Sequence, residues 1–179
     1  MAKSGRVKQF SPFILTLFVI VADQVSKAWV TRHVPQGMMA ASFWNDFISI
    51  WHVRNTAIGF SIGYSWPPLA KTLFFVVLPL ILLLLLTIFL MRNSSLLEPL
   101  LRWALAALIG GGLGNMIDRV FRSEGVVDFI SVRVYGLFGL ERWPTFNLAD
   151  STIVISGILM LFYLLFGHSP SQKEKDLDE

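Results

Sequence analysis

Residues 72–91 read TLFFVVLPLILLLLLTIFLM, twenty consecutive positions without a charge. A helix needs about 20 mostly apolar residues to cross a hydrocarbon core about 30 Å thick, so this run by itself reads as a membrane span. Pro79 inside it is tolerable in lipid and predicts a local kink. Three further segments approach the same length, 10–30, 100–117 and 151–167, each interrupted or cut short by polar residues. Composition agrees: of 179 residues, 54% are hydrophobic and 15% charged, with a mean hydropathy of +0.62. A soluble globule of this size has too much surface to hide so much apolar side chain.

Other counts exclude whole classes of chemistry. The chain has no cysteine, which rules out disulfides, thiolate nucleophiles and Cys-ligated zinc. His33, His52 and His168 are scattered without a ligand spacing, so neither a metal nor another cofactor is expected. The net charge of +3 comes from interspersed signs, and no basic tract points to nucleic acid.

Lys3, Arg6 and Lys8 precede the first span, while Arg92 and Arg102 flank the connection between the second and third. That bias places both termini in the cytoplasm, although Arg119, Arg122, Arg133 and Arg142 fall on the other side. A basic start before an apolar run also suits a cleavable leader. No A-x-A site follows, however, and Asp23 and Lys27 close the run, so an uncleaved anchor is expected. Segments 31–71 and 118–150 are then extracytoplasmic. Within them, FISIWHV (47–53) and VVDFISVRV (126–134) read as short strands at the membrane surface. Trp29, Trp44, Trp51, Trp66 and Trp143 fall near the outer boundary, as an aromatic belt would. Residues 1–170 read as one membrane-embedded domain, and 171–179 as a charged, disordered cytoplasmic tail.

Helical rise brings the polar residues to one depth. At about 1.5 Å per residue, Asp23 lies ~22 Å from Lys8, Asn115 ~20 Å from Arg102 and Asp150 ~27 Å from His168. All three clusters therefore sit in the outer leaflet or at its surface, although the spans alternate in direction. Ionisable groups inside a membrane are costly and mark functional sites.

The individual motifs differ in what they specify. Asp23 and Lys27 are i,i+4 and share a helix face; a structural salt bridge and a substrate-facing role are both open. Ser26 and Lys27 do not make a peptidase dyad, because adjacent helix positions point about 100° apart. Gly110 and Gly114 form a GxxxG for close helix packing, not a phosphate loop. Asp118, followed at once by Arg119, reads as a structural ion pair or cap. Asp128 is flanked by Val126, Val127, Phe129 and Ile130, and a carboxylate in apolar company has a raised pKa. Asp150, three residues after Asn147, is either a helix cap or the partner of Asp128 in a pair sharing one proton, as in aspartic proteases. A proton-coupled carrier would also use buried carboxylates, but four spans without an internal repeat argue against one. A membrane scaffold is the remaining reading.

Five motifs occur in order: D-Q-x-S-K (23–27), R-N-T (54–56) followed by Phe60, G-G-x-x-G-N-x-x-D-R ending at Arg119, V-V-D-F (126–129) and F-N-x-A-D-S (146–151). Together they resemble the lipoprotein signal peptidase family, signal peptidase II, over about residues 12 to 167. The resemblance implies an all-α membrane protein. It would have four transmembrane helices, a small extracytoplasmic β-cradle and a periplasmic-side loop or helix. It implies an aspartyl endopeptidase of the bacterial inner membrane, with its active site at the outer-leaflet side. Its partners would be membrane lipid and prolipoprotein signal peptides, cut just before a diacylglyceryl-modified Cys. By the same resemblance Asp128 and Asp150 are catalytic, while Asp23, Lys27, Asn55, Asn115, Arg119 and Asn147 bind substrate or brace the site. One stretch departs from the family's N-x-G-A-A-F: here it reads Asn55-Thr56-Ala57-Ile58-Gly59-Phe60.

Overall fold

The structure, a computed structural model, describes residues 10–56 and 65–167. Lys3, Arg6, Lys8, the departing Ala57-Ile58-Gly59 and the tail 171–179 lie outside them. Among the described residues, four helices are long and apolar enough to cross a membrane: α1 (Pro12–His33), α2 (Pro68–Asn93), α3 (Pro99–Phe121) and α4 (Leu148–Phe166). Helices α1, α2 and α3 begin on a proline, whose missing N–H has no partner at a first turn in any case. Each helix runs past the end that hydropathy alone assigned, because the outer turns are polar yet still helical.

Helix α2 is apolar on every side and mostly exposed within the chain, the pattern of a helix surrounded by lipid. The expected irregularity at Pro79 takes the form of a π-turn just before it, Leu73–Val77, in which the Leu78 N–H bonds to Leu73 O, five residues back. Pro79 cannot donate to the carbonyl of Phe75, and the wider turn absorbs that lost bond.

Helix α3 is the axis of the bundle. A Cβ on Gly110 would come within 2.9 Å of the Thr16 backbone and of Val19 in α1, and one on Gly111 within 2.6 Å of Ala149 O in α4. Gly112 faces Leu83 of α2, and Gly114 faces Asp23 and Ala149. The GxxxG pair thus serves close packing as expected, and Gly111 and Gly112 extend it to the other two helices. Leu90, Leu105, Ala106 and Ile109 form a core at the end of the bundle where α2 connects to α3.

At the end of the bundle where α1 stops and α4 starts, a three-stranded antiparallel sheet covers the helices, in the order β1 (Met39–Phe43), β2 (Ile48–Asn55), β3 (Val126–Val132). Strands β2 and β3 match the two stretches read as strands. β1, a short edge strand reading MAASF, was not expected. Val127 and Phe129 pack on Val30 and Val34 of α1, which seats the sheet on the end of that helix. Register places Val53 opposite Asp128 and Asn55 opposite Val126, so Asn55 and Asp128 share a face. A turn, Leu137–Gly139, follows in the second outer segment. The chain then returns along β3, where Phe146 exchanges backbone hydrogen bonds with Ile130. That bridge delivers the start of α4 beside Asp128.

Candidate active site

Asn147 is the N-cap of α4, with Asp150 as the third residue of a capping box. The Asp150 N–H donates to Asn147 Oδ1 at 2.9 Å, and the Asn147 N–H returns to Asp150 Oδ2 at 3.2 Å. Asp150 is therefore not the cap itself but the carboxylate answering it. With its oxygen committed, Asn147 directs its Nδ2 the other way, to Asp128 Oδ1 at 2.7 Å. One asparagine thus joins the two aspartates, one through its side chain and the other through its backbone.

Two more carboxamides complete the set. Asn55 Nδ2 donates to Asp128 Oδ2 at 2.9 Å, and Asn115 Nδ2 donates to Asp150 Oδ1 at 2.7 Å. Each aspartate therefore accepts two N–H bonds. Asp128 is 2% exposed. Burial pushes its carboxyl up to about 6, the charge of Asp150 adds to that rise, and the hydrogen bonds from Asn55 and Asn147 oppose it. A proton on this pair is within reach of neutral pH.

Behind the pair lies a buried ion cluster. Lys27 Nζ stands 2.8 Å from both Asp23 Oδ2 and Asp118 Oδ2, with all three side chains 0% exposed. Its third bond goes to Asn115 Oδ1 at 2.9 Å. Asp23 Oδ1 also accepts the Ala149 N–H of α4 at 3.1 Å, and Asp118 accepts the Val127 N–H at 3.3 Å. Asp23 and Lys27 are fully enclosed in this cluster. Ser26 donates to Asp23 O at 2.8 Å and is remote from nucleophilic work.

The expected Asp118–Arg119 ion pair is corrected. Asp118 pairs with Lys27 and with Arg122 one turn on, because adjacent helix residues diverge by about 100° and i,i+4 residues align. Arg119 instead lies over the ring of Phe75, 5.6 Å from its centroid, and lines two cavities. Three residues of this network were not read as site residues from the sequence: Gln24, Arg122 and Phe75. Gln24 bonds Asp118 at 3.1 Å and Gly114 O at 3.0 Å and accepts from Arg122 at 3.2 Å. The i,i+4 spacing of Asp118 and Arg122 could have found the second. Nothing distinguishes Phe75 within its apolar run.

Three cavities meet here. An apolar one of about 350 Å³ runs between α2, α3 and α4 and reaches Asn115 and Asp150 past Leu82, Leu83 and Leu86. A second apolar recess, about 270 Å³, reaches Asp150 from the other side, lined by Trp143, Phe146, Val154 and Ile155. The third, about 190 Å³ with a mixed lining, reaches Asn55. Among the described residues no group of three or more His, Asp or Glu side chains is arranged to hold a metal.

A pair of buried carboxylates coupled through amides, with lipid-level recesses leading to it, suits acid–base hydrolysis of a membrane-held amide. Comparison with known proteins points the same way. The chain is 42% identical to the lipoprotein signal peptidase of Borrelia turicatae (strain 91E135), covering 93% of this chain and 96% of the relative. It is 41% identical to the lipoprotein signal peptidase of Treponema denticola, covering 93% and 95%. A solved bacterial membrane enzyme superposes with a TM-score of 0.72 at 30% identity, covering 87% of each chain. The family model described as signal peptidase (SPase) II matches residues 15–166, and this chain belongs to the signal peptidase II family.

Proposed function

We propose that Asp128 and Asp150 are the catalytic pair of this aspartic peptidase, and that it cuts prolipoproteins just before a diacylglyceryl-modified Cys. The observation carrying this reading is the connection of both carboxylates through Asn147, with Asp128 held near a neutral-range pKa. One aspartate, ionised, takes a proton from water as it attacks the scissile carbonyl. Its protonated partner polarises that carbonyl and then protonates the leaving amine. No acyl-enzyme is formed, consistent with a chain lacking Cys.

The two apolar recesses that reach Asp150 suit a substrate with two apolar parts, the core of a signal peptide and the acyl chains on the Cys. Anchoring by lipid fixes the depth of the scissile bond, so positioning supplies much of the rate. The basic start of the chain supports both termini in the cytoplasm. That orientation puts the site at the outer leaflet of a bacterial inner membrane. Asp23, Lys27, Asn55, Asn115, Arg119 and Asn147 support the pair or touch substrate, and Asp118 is structural.

The direct test is incubation of purified protein with a diacylglyceryl-modified prolipoprotein, scored by gel shift. Loss of a signal-peptide-sized fragment is expected. Proton flux in proteoliposomes without any cleavage would favour a carrier instead.

A further inference from the structure

The mixed-lined cavity beside Asn55 and the apolar cavity that reaches Asp150 share two lining residues, Phe75 and Arg119. Phe75 is placed by a backbone irregularity and Arg119 by regular helix. The π-turn sets Phe75 inward and buried, and the last turns of α3 turn Arg119 across its ring. The pair is the wall between a lipid-level groove and an outer vestibule. Each side of the wall touches one half of the catalytic network: Asp150 and Asn115 in the groove, Asn55 in the vestibule.

The charge of the vestibule is one-sided. Lys71, Arg119 and Arg122 line it, with Asn55, Thr56 and Ser123 supplying neutral polar groups, and among the described residues no carboxylate does. Asp118 partly offsets Arg122 from behind, and Glu124 nearby is engaged with Arg54 at 3.3 Å. An apolar signal-peptide core fits the groove and not the vestibule. A chain crossing the site therefore enters the vestibule with the residues that follow the scissile bond.

We infer that the vestibule bounded by Lys71, Arg119 and Arg122 is a cationic subsite for the residues immediately after the modified Cys, and that it favours acidic side chains there. This rests on the reading of the chain as a prolipoprotein peptidase. Lys71, on the first turn of α2 and remote from the aspartates' hydrogen bonds, is the specificity-determining residue that can be changed with least disturbance. Charge pairs at half-exposed sites are weak, so the discrimination is modest, about threefold per charge, and is screened by salt.

The test uses the full-length protein in lipid nanodiscs. Its substrates are three diacylglyceryl-modified prolipoprotein peptides that differ only in the two residues after Cys: Asp-Asp, Ser-Ser or Lys-Lys. For wild type, kcat/KM should fall in that order, mainly through KM, and the spread should shrink at high salt. Lys71→Glu should invert the Asp-Asp to Lys-Lys ratio, and Lys71→Gln should bring it towards one. Ratios within each variant are independent of how much enzyme folds. Equal cleavage of all three by wild type, or a preference that both Lys71 variants keep, overturns the subsite. Failure of wild type to cut any of the three would instead strike at the peptidase reading.

Discussion

Asn115 holds Asp150 by a 2.7 Å hydrogen bond from Nδ2 to Oδ1. The orientation of that amide is decided on its far side. Lys27 can only donate, so the oxygen of Asn115 must face Lys27 Nζ at 2.9 Å and its NH₂ must face the aspartate. A buried ammonium one helix away therefore sets the polarity of a group that touches the site.

Lys27→Met should be severely destabilising, because Asp23 and Asp118 would remain buried without their shared cation. Breaking a buried ion pair costs about 3–5 kcal/mol. Adding Asp23→Asn and Asp118→Asn should recover much of the thermal stability, measured by Tm in detergent. Turnover should fall in that triple variant, since Asn115 loses the ammonium at 2.9 Å that fixes its amide and keeps on that oxygen the 3.1 Å bond from Asn147 Nδ2. Wild-type turnover in it would show that the brace is purely structural.

Asp128→Asn and Asp150→Asn keep shape but remove the proton shuttle. Each should reduce cleavage by at least the ~10²–10⁴ typical of general acid–base groups, while the protein still inserts. The double variant should be no worse than either single, as for residues acting as a unit. Glu141→Gln should be nearly silent, because its 2.7 Å pair with Arg133 is largely exposed. Substantial turnover by either purified Asn variant would refute the assignment.

The pH profile should report Asp128. Its folded pKa, about 6, lies above the ordinary 3.8, so the folded chain holds this proton more tightly than the unfolded one. The stability so contributed is full below pH 3.8 and is lost as pH rises through about 6. Activity should fall on the alkaline side as the pair loses its one proton. Asn55→Ala removes a donor that favours the carboxylate, so the alkaline limb should move to higher pH. An unmoved limb would assign the titration to another group.

Glycine replacements should separate packing from propensity. Gly111→Ala would put a methyl 2.6 Å from Ala149 O, and such overpacking costs about 1–3 kcal/mol. Gly157→Ala meets nothing within 4 Å and should be neutral or slightly stabilising. Comparable Tm losses for both would mean that α3 and α4 are not in close contact.

Chelation should leave activity intact. The carboxylates of Asp23 and Asp118 already enclose a cation, the Lys27 ammonium, and the dyad is met by amide donors. Complete loss with a strong chelator, restored by zinc, would show that the chemistry is metal-assisted.

By itself the sequence determined the four apolar spans and the carboxylates that four of the five motifs carry. These are local properties: a twenty-residue apolar run needs no partner to declare itself. Strands β2 and β3 were legible because short runs rich in β-branched and aromatic residues are also local signals. Tertiary structure alone decided the rest. β1 carries no such run and exists because β2 offers it an edge. Asp118 answers to Lys27, 91 positions away, rather than to its neighbour Arg119, because a helix turns adjacent side chains apart. Phe75 is one apolar residue among many until a π-turn before Pro79 sets it under Arg119. The coupling of Asp128 to Asp150 through Asn147 depends on Phe146 pairing with β3, a bond between distant backbone groups that no residue identity encodes. Hydrogen bonds of a few ångströms join residues that the chain separates by tens of positions, and only packing can say which.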